Sequence, residues 1–266
     1  MSSIRNSSAA RFVSTLSWGQ DWEKARCNEG LLDIEFQENF NITDEHIDTI
    51  TNSSTAANLR KLQFGDSDTG KGRFVSDQAI VRLAKACHNL EEVEFVSATS
   101  LTDIALLAIA QNCPMIKSIN ISGNDKIHGG VKGHCFDQLA ANKDIAPVLT
   151  TVLLMDQDVR RKQIKLLTKQ RPGLTVREGE TVGDGIADQM VASLTCGGNV
   201  TEWRNGKMVS MSSDFGMGDI SFDEFDDIDG LSFDSSDFDS EEDYDEEFGE
   251  EEEDDYEDND EKKKIK

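Results

Sequence analysis

Apolar residues recur along this chain in a fixed order. Residues 31–44 read Leu31-x-x-Ile34-x-Phe36-x-x-Asn39-x-x-Ile42-Thr43-Asp44. The order returns at Leu59-x-x-Leu62-x-Phe64, followed by Val75-Ser76-Asp77, and again at Leu90-x-x-Val93-x-Phe95-x-x-Ala98-x-x-Leu101-Thr102-Asp103. A fourth copy opens at Ile116-x-x-Ile119-x-Ile121-x-x-Asn124. The fourth and sixth places of each copy lie two apart, which puts both side chains on one side of a short strand. The small or amide residue that follows (Asn39, Ala98, Asn124) is expected to face the interior, where an Asn bonds turn backbone that would otherwise go unpaired. The Thr-Asp and Ser-Asp pairs predict helix N-caps. Apolar residues at 79, 80, 83, 84 and 87, and again at 105, 106, 109, 110 and 113, have helical spacing. The spacing therefore predicts helices over 76–87 and 102–113.

Downstream the order decays. Leu149-x-x-Val152-x-Leu154 predicts a fifth strand, with Ile164, Leu166 and Leu167 on the helix after it. Arg171-Pro172-Gly173 stops that helix and Leu174–Arg177 predicts a sixth strand. Residues 185–194 read as a helix, and 201–211 as a hairpin turning at Asn205-Gly206. A βα unit of this kind cannot bury its apolar face alone, so stacked neighbours make the core. The expected class is α/β: a leucine-rich-repeat solenoid with parallel strands on its concave face and helices on its convex face. It is followed by a disordered acidic tail. The expected domains are an N-terminal segment and cap (1–30), the repeats (31–177), a helix and hairpin cap (178–213) and the tail (214–266). Trp18 and Trp22 belong to the N-terminal cap.

Cys87-x-x-Leu90-x-x-Val93-x-Phe95, then Leu101-Thr102-Asp103 and Ile109-Ala110-x-x-Cys113, resembles the cysteine-containing, ribonuclease-inhibitor-like leucine-rich-repeat pattern. That pattern is known from the substrate-receiving halves of F-box ubiquitin-ligase receptors and from related mitotic-exit regulators. The resemblance covers about residues 31–177. It implies a non-catalytic interaction scaffold, with ubiquitin-linked regulation as its setting and a ligase adaptor among its partners. A Leu-Pro-x-Glu-like F-box opening is not found ahead of residue 31.

Within each strand, the residues between the inward positions point to the concave sheet. They are Asp33 and Glu35, Lys61 and Gln63, Glu92 and Glu94, Ser118 and Asn120, Thr151 and Leu153. This row is the expected partner-binding surface, since curved parallel sheets of repeats form extended binding faces.

Charge changes the picture at the C-terminus. The formal net charge is −25. Residues 1–213 carry 23 basic and 26 acidic residues, whereas 214–266 carry 4 and 26. Too much like charge and too little apolar area make the tail unable to fold alone. Yet it holds eight aromatics, including both tyrosines of the chain. Phe225, Phe238, Tyr244, Phe248 and Tyr256 sit among acids, a chemistry suited to basic protein surfaces with small apolar pockets. It resembles the acid-aromatic segments of histone chaperones and also acidic activation domains. Ser221, Ser236 and Ser240 each precede an acid by three residues, a setting for acidophilic phosphorylation. The alternative function is thus histone-chaperone-like binding of basic proteins by the tail. A solubilising tail, or one folding back on its own domain, is the plainer reading.

Candidate catalytic chemistry is thin. Gly65-x4-Gly70-Lys71-Gly72 nearly spells a phosphate-binding loop, but Gly72 stands where the magnesium-ligating hydroxyl belongs. Asp66, Asp68 and Asp77 fall at calcium-loop spacings, but Lys71 replaces the required Gly. The stretch is read as an insertion lengthening the second repeat. His128, His134 and Cys135 lack a fourth ligand at a zinc spacing. His46 and His88 are expected as surface or capping residues. No Ser/His/Asp or Cys/His constellation stands out, so neither enzyme activity, metal nor cofactor is expected. Five cysteines and no secretory apolar core argue for a reducing compartment, nuclear or cytoplasmic. The acid-free, Ser-rich first 20 residues fit an organelle transit peptide, but we read them as a disordered N-terminus. No apolar run has transmembrane length, and no direct nucleic-acid contact is expected.

Overall fold

The computed structural model describes residues 8–27, 30–66, 69–124, 126–180 and 200–210. They form a mixed α/β structure around one nine-stranded sheet whose strand order is the chain order. The strands are β1 (Ala9–Phe12), β2 (Asp33–Phe36), β3 (Lys61–Phe64), β4 (Glu92–Phe95), β5 (Ser118–Ile121), β6 (Thr151–Met155), β7 (Thr175–Gly179), β8 (Thr201–Arg204) and β9 (Lys207–Ser210). Neighbours from β1 to β7 pair parallel, and β8 and β9 add antiparallel. The helices among the described residues are α1 (Trp18–Arg26), α2 (Asp44–Thr51), α3 (Asp77–Ala86), α4 (Asp103–Asn112), α5 (Cys135–Ala141) and α6 (Arg161–Gln170). No helix among the described residues is long and apolar enough to cross a membrane.

Each repeat strand alternates half-buried and buried residues, with Ile34, Phe36, Leu62, Phe64, Val93, Phe95, Ile119 and Ile121 wholly or almost wholly inside. In-register pairing brings like positions together: Phe64 and Phe95 face each other in β3 and β4, their rings stacked 4.3 Å apart. Such a pair adds about 1 kcal/mol beyond the area it buries. The inward helix positions close the core from the other side, including Ala79, Ile80, Leu83, Ala105, Leu106 and Ile109.

The sequence spacing does not announce β1. The first strand begins at Ala9 within the segment expected to be disordered, and pairs parallel with β2. Phe12 anchors it and meets Trp18 at 4.8 Å and Phe36 at 5.3 Å. Trp18 stacks on Trp22 at 5.2 Å, so the two indoles close this end of the core as expected of a cap. At the other end Asn205 and Gly206 take φ of 54° and 75°. Two successive positive φ values fit a type I′ turn. The helix expected over 185–194 and the tail, with Phe225, Phe238, Tyr244, Phe248 and Tyr256, lie outside the described residues.

Asn39 departs from its expected inward position. Phe40 takes the interior there, 1% exposed, and leaves Asn39 on the surface. Asn124 does fulfil the role, since its buried Oδ1 accepts from the amides of Lys126 (3.0 Å) and Ile127 (2.8 Å).

The predicted caps form. The Ala79 amide donates to Ser76 Oγ (3.3 Å) and the Ile104 amide to Thr102 Oγ1 (3.2 Å). The Asp after each cap has a second role. Asp44 accepts from the amide and hydroxyl of Ser76 (2.7 and 2.6 Å), one repeat later. Asp77 does the same for Thr102 (2.9 and 2.6 Å), and Asp103 accepts from the amides of Lys132 and Cys135 (2.9 and 3.1 Å). A line of three carboxylates thus ties the starts of α2, α3, α4 and α5 in turn.

Candidate partner-binding face

Strand register decides which side chains share the face that the helices leave open. One row runs Ala9, Asp33, Lys61, Glu92, Ser118, Thr151, Thr175, Arg204. The second runs Arg11, Glu35, Gln63, Glu94, Asn120, Leu153, Arg177, Glu202. All ten residues expected on this face fall in these two rows, and each is partly accessible. Their order follows from the period-two alternation of strands carried across an in-register parallel sheet.

The face is electrostatically uneven. Arg11 pairs with Glu35 at 2.8 Å, and Lys61 with Glu92 at 2.8 Å. The Glu92 hydrogen bond raises the Lys61 pKa above the ordinary lysine value against a smaller desolvation effect. Asp33 and Glu94 form no ion pair among the described residues, so the β1–β4 part of the face is left acidic. The β5 and β6 part is neutral, with Ser118, Asn120, Thr151 and Leu153. At the far edge Arg177 and Arg204 clamp the two oxygens of the buried Glu202 at 2.7 and 2.6 Å. Trp203 Nε1 donates to Glu178 Oε1 (3.3 Å). Arg11 and Arg177 were missed by the sequence reading. Arg177 lies two residues after the face residue Thr175 and next to the inward Val176, so its place follows from the same alternation.

The other candidate chemistry resolves into packing. A Cβ on Gly65 would lie 1.8 Å from the Val96 carbonyl oxygen, and one on Gly72 would lie 2.0 Å from the same atom. Gly65 and Gly72 of the phosphate-loop-like stretch are therefore accounted for by close approach to the neighbouring repeat, and Gly70 by its φ of +64°. The Ser97 hydroxyl donates to the Asp66 carbonyl at 2.6 Å and secures the loop from the other side. Cys87 and Cys113 are fully buried, and burial pushes both thiols up to about 12. The Cys113 thiol points at the Cys87 carbonyl, 3.5 Å away. Cys135 is buried and its thiol is also shifted upward, mainly by burial, while His128 and His134 are exposed. His46 accepts the Thr43 amide proton at Nδ1 (3.1 Å), and His88 Nδ1 lies 3.1 Å from the Asn112 carbonyl at the end of α4. Both histidines thus act at helix ends.

One buried cation had no signal beyond a helix stop. Arg171 is 8% exposed and donates to the carbonyls of Leu139 (2.8 Å), Asn142 (2.7 Å), Ile145 (2.5 Å) and Ala146 (3.0 Å). Its guanidinium supplies the donors that the end of α5 and the loop after it lack. Burial pulls its pKa below the usual guanidinium value.

No protein-family model matches this chain, and no curated protein does. Among solved structures, the tropomodulin C-terminal domain of Caenorhabditis elegans is similar over 57% of this chain and 90% of that chain, at 12% identity and a TM-score of 0.34.

Proposed function

We propose that this chain is a non-catalytic leucine-rich-repeat protein whose open sheet face binds a protein partner. The observation that carries the reading is the register. It lines up Asp33, Lys61, Glu92, Ser118 and Thr151, and beside them Glu35, Gln63, Glu94, Asn120 and Leu153, as two accessible rows. A row of this kind offers polar groups at a fixed pitch of about 4.8 Å, the spacing of neighbouring strands. It ends in a neutral stretch with one apolar residue, Leu153. Such a face suits a partner with a basic segment toward β2–β4 and an apolar contact toward β6. The repeat's resemblance to receptors of ubiquitin ligases makes a ligase substrate or adaptor the partner class to look for.

A second reading has its own observation. The 26 acids and eight aromatics of residues 214–261 fit a basic protein surface such as that of histones. In that case the repeats are a scaffold for the tail.

Affinity capture with mass spectrometry separates the two. Three proteins serve: the full chain, a chain ending at Ser213, and a full chain carrying Asp33→Ser and Glu94→Ser. Partners kept by the truncated chain and lost by the face variant support the sheet reading. Partners lost only on truncation, and released by salt, support the tail. Partners retained by both altered proteins refute both.

A further inference from the structure

Helix α6 has a charge pattern unlike that of the other helices. From Arg160 to Arg177 the chain has seven basic residues and no acidic one. Between α2 and α3 the outward charges are paired: Arg82 bridges Asp48 at 2.7 Å. On α6 the inward stripe of Ile164, Leu167 and Thr168 is buried. The opposite stripe holds Lys162, Leu166 and Lys169, spaced i, i+4, i+7, and all three are exposed. Arg161 has a partner in Glu178 at 3.3 Å. Lys162 and Lys169 have no ion pair among the described residues. The stem of Lys169 is nonetheless held in place: a Cβ on Gly206 would lie 2.8 Å from Lys169 Cβ. Leu166, midway between the two lysines along the helix, stays 43% exposed, so its side chain contributes little to the core.

We propose that the outward face of α6 docks an acidic polypeptide segment that carries an apolar side chain between its acids. Lys162 and Lys169 lie about 10 Å apart along the helix axis, a distance that three or four residues of extended chain span. An apolar side chain midway along such a segment meets Leu166 while acids on either side meet the lysines. The surface is independent of the sheet-face reading, because it lies on the helix side. A polypeptide fits better than nucleic acid, since a phosphate backbone makes no use of the central leucine. The overall charge of −25 does not prevent docking, because charges beyond about 10 Å are screened at moderate salt while those of α6 are met at contact.

The test is fluorescence anisotropy with the full chain and a labelled peptide of Glu and Asp around one central Phe. Lys162→Glu with Lys169→Glu should weaken binding about ten-fold or more, with circular dichroism unchanged because both positions are exposed. Leu166→Ser should weaken the Phe peptide and leave a peptide with Ala at that place unaffected. Raising salt from about 50 to about 300 mM should weaken wild-type binding. Three results overturn the proposal. The first is equal affinity of the charge-reversed and wild-type proteins for the peptide. The second is tighter binding of a single-stranded oligonucleotide that ignores Leu166→Ser. The third is self-association abolished by the charge reversal, with no peptide binding at all.

Discussion

The Asp77 carboxylate holds both the amide and the hydroxyl of Thr102, at 2.9 and 2.6 Å, and so ties the start of α3 to the start of α4. Asp77 is 8% exposed, and the tie runs across 25 residues of sequence. Hydrogen bonds to a charged group contribute about 1.5–3 kcal/mol each, and a buried amide left unpaired costs as much again. Asp77→Ala is therefore expected to cost about 3 kcal/mol, read from urea unfolding. Thr102→Val, which removes the hydroxyl arm and with it the cap on the Ile104 amide, should cost about 1–2 kcal/mol. Because the two residues share one interaction, the double variant should lose less than the sum. Strict additivity would show that the hydroxyl arm of the tie contributes nothing.

The loop of the second repeat makes a contrasting set. Gly65→Ala and Gly72→Ala each drive a methyl group into the Val96 carbonyl oxygen, at 1.8 and 2.0 Å, and backbone must move to accept it. Gly65 also needs its φ of +85°. Each variant should lose several kcal/mol. Gly173→Ala meets nothing within 4 Å and should change stability by less than about 1 kcal/mol. Thermal melts of the three variants side by side check the ranking.

Arg171 offers a test of buried charge. Arg171→Met keeps much of the side-chain volume but takes the guanidinium donors from four carbonyl oxygens, of which those of Asn142 and Ala146 keep a backbone amide. The expected loss is about 3–5 kcal/mol. Hydrogen exchange should rise first in α5 and the loop after it. Arg171→Lys should recover only part of the loss, because an ammonium cannot reach carbonyls spread around a planar fork. Full rescue by lysine would show that charge alone suffices.

His46 predicts a dependence on pH. Its ring sits 5.1 Å from Trp18 and 5.0 Å from Phe40. Burial holds its pKa below 6.5, against a smaller upward effect of Glu45. The unfolded ring takes up its proton as pH falls through about 6.5, the folded ring only lower. In that interval the unfolded state binds more protons, so stability should fall as pH drops through 6.5 and level off below the folded value. His46→Gln keeps an acceptor for the Thr43 amide and removes the titration. Urea midpoints at about pH 8 and about pH 5 should move less in that variant than in wild type. Equal shifts in the two proteins would assign the pH response to other groups.

The repeat strands β2 to β6 were legible because their two inward apolar residues recur in every copy. The face rows follow from the same alternation, so the places of Asp33, Glu94 and their neighbours are legible in the sequence alone. Ala9–Phe12 was not legible: it has one large apolar residue, and what makes it a strand is the open edge of β2 and the ring of Phe36. The second role of Asp77 was hidden for a different reason. A Thr-Asp or Ser-Asp pair reads as a local cap, while the partner of its Asp lies a whole repeat away. Arg171 looked like part of a stop signal, since its four acceptors are carbonyls and backbone leaves no trace in side-chain pattern. Asn39 was misplaced because Phe40, one position later, outcompetes it for the interior through the larger apolar area it buries.

Strand order equal to chain order also bears on how the molecule comes into being. Every strand after the first pairs with the one made just before it, so a growing chain needs no later segment to complete an earlier one. Phe12, Trp18, Trp22, Phe36 and Phe40 all lie within the first 40 residues, and their rings meet within 6.5 Å. That aromatic knot is available to close as soon as β2 has left the ribosome. Each later repeat then finds a finished edge waiting for it, and Ser76 and Thr102 find the carboxylates of Asp44 and Asp77 already in place.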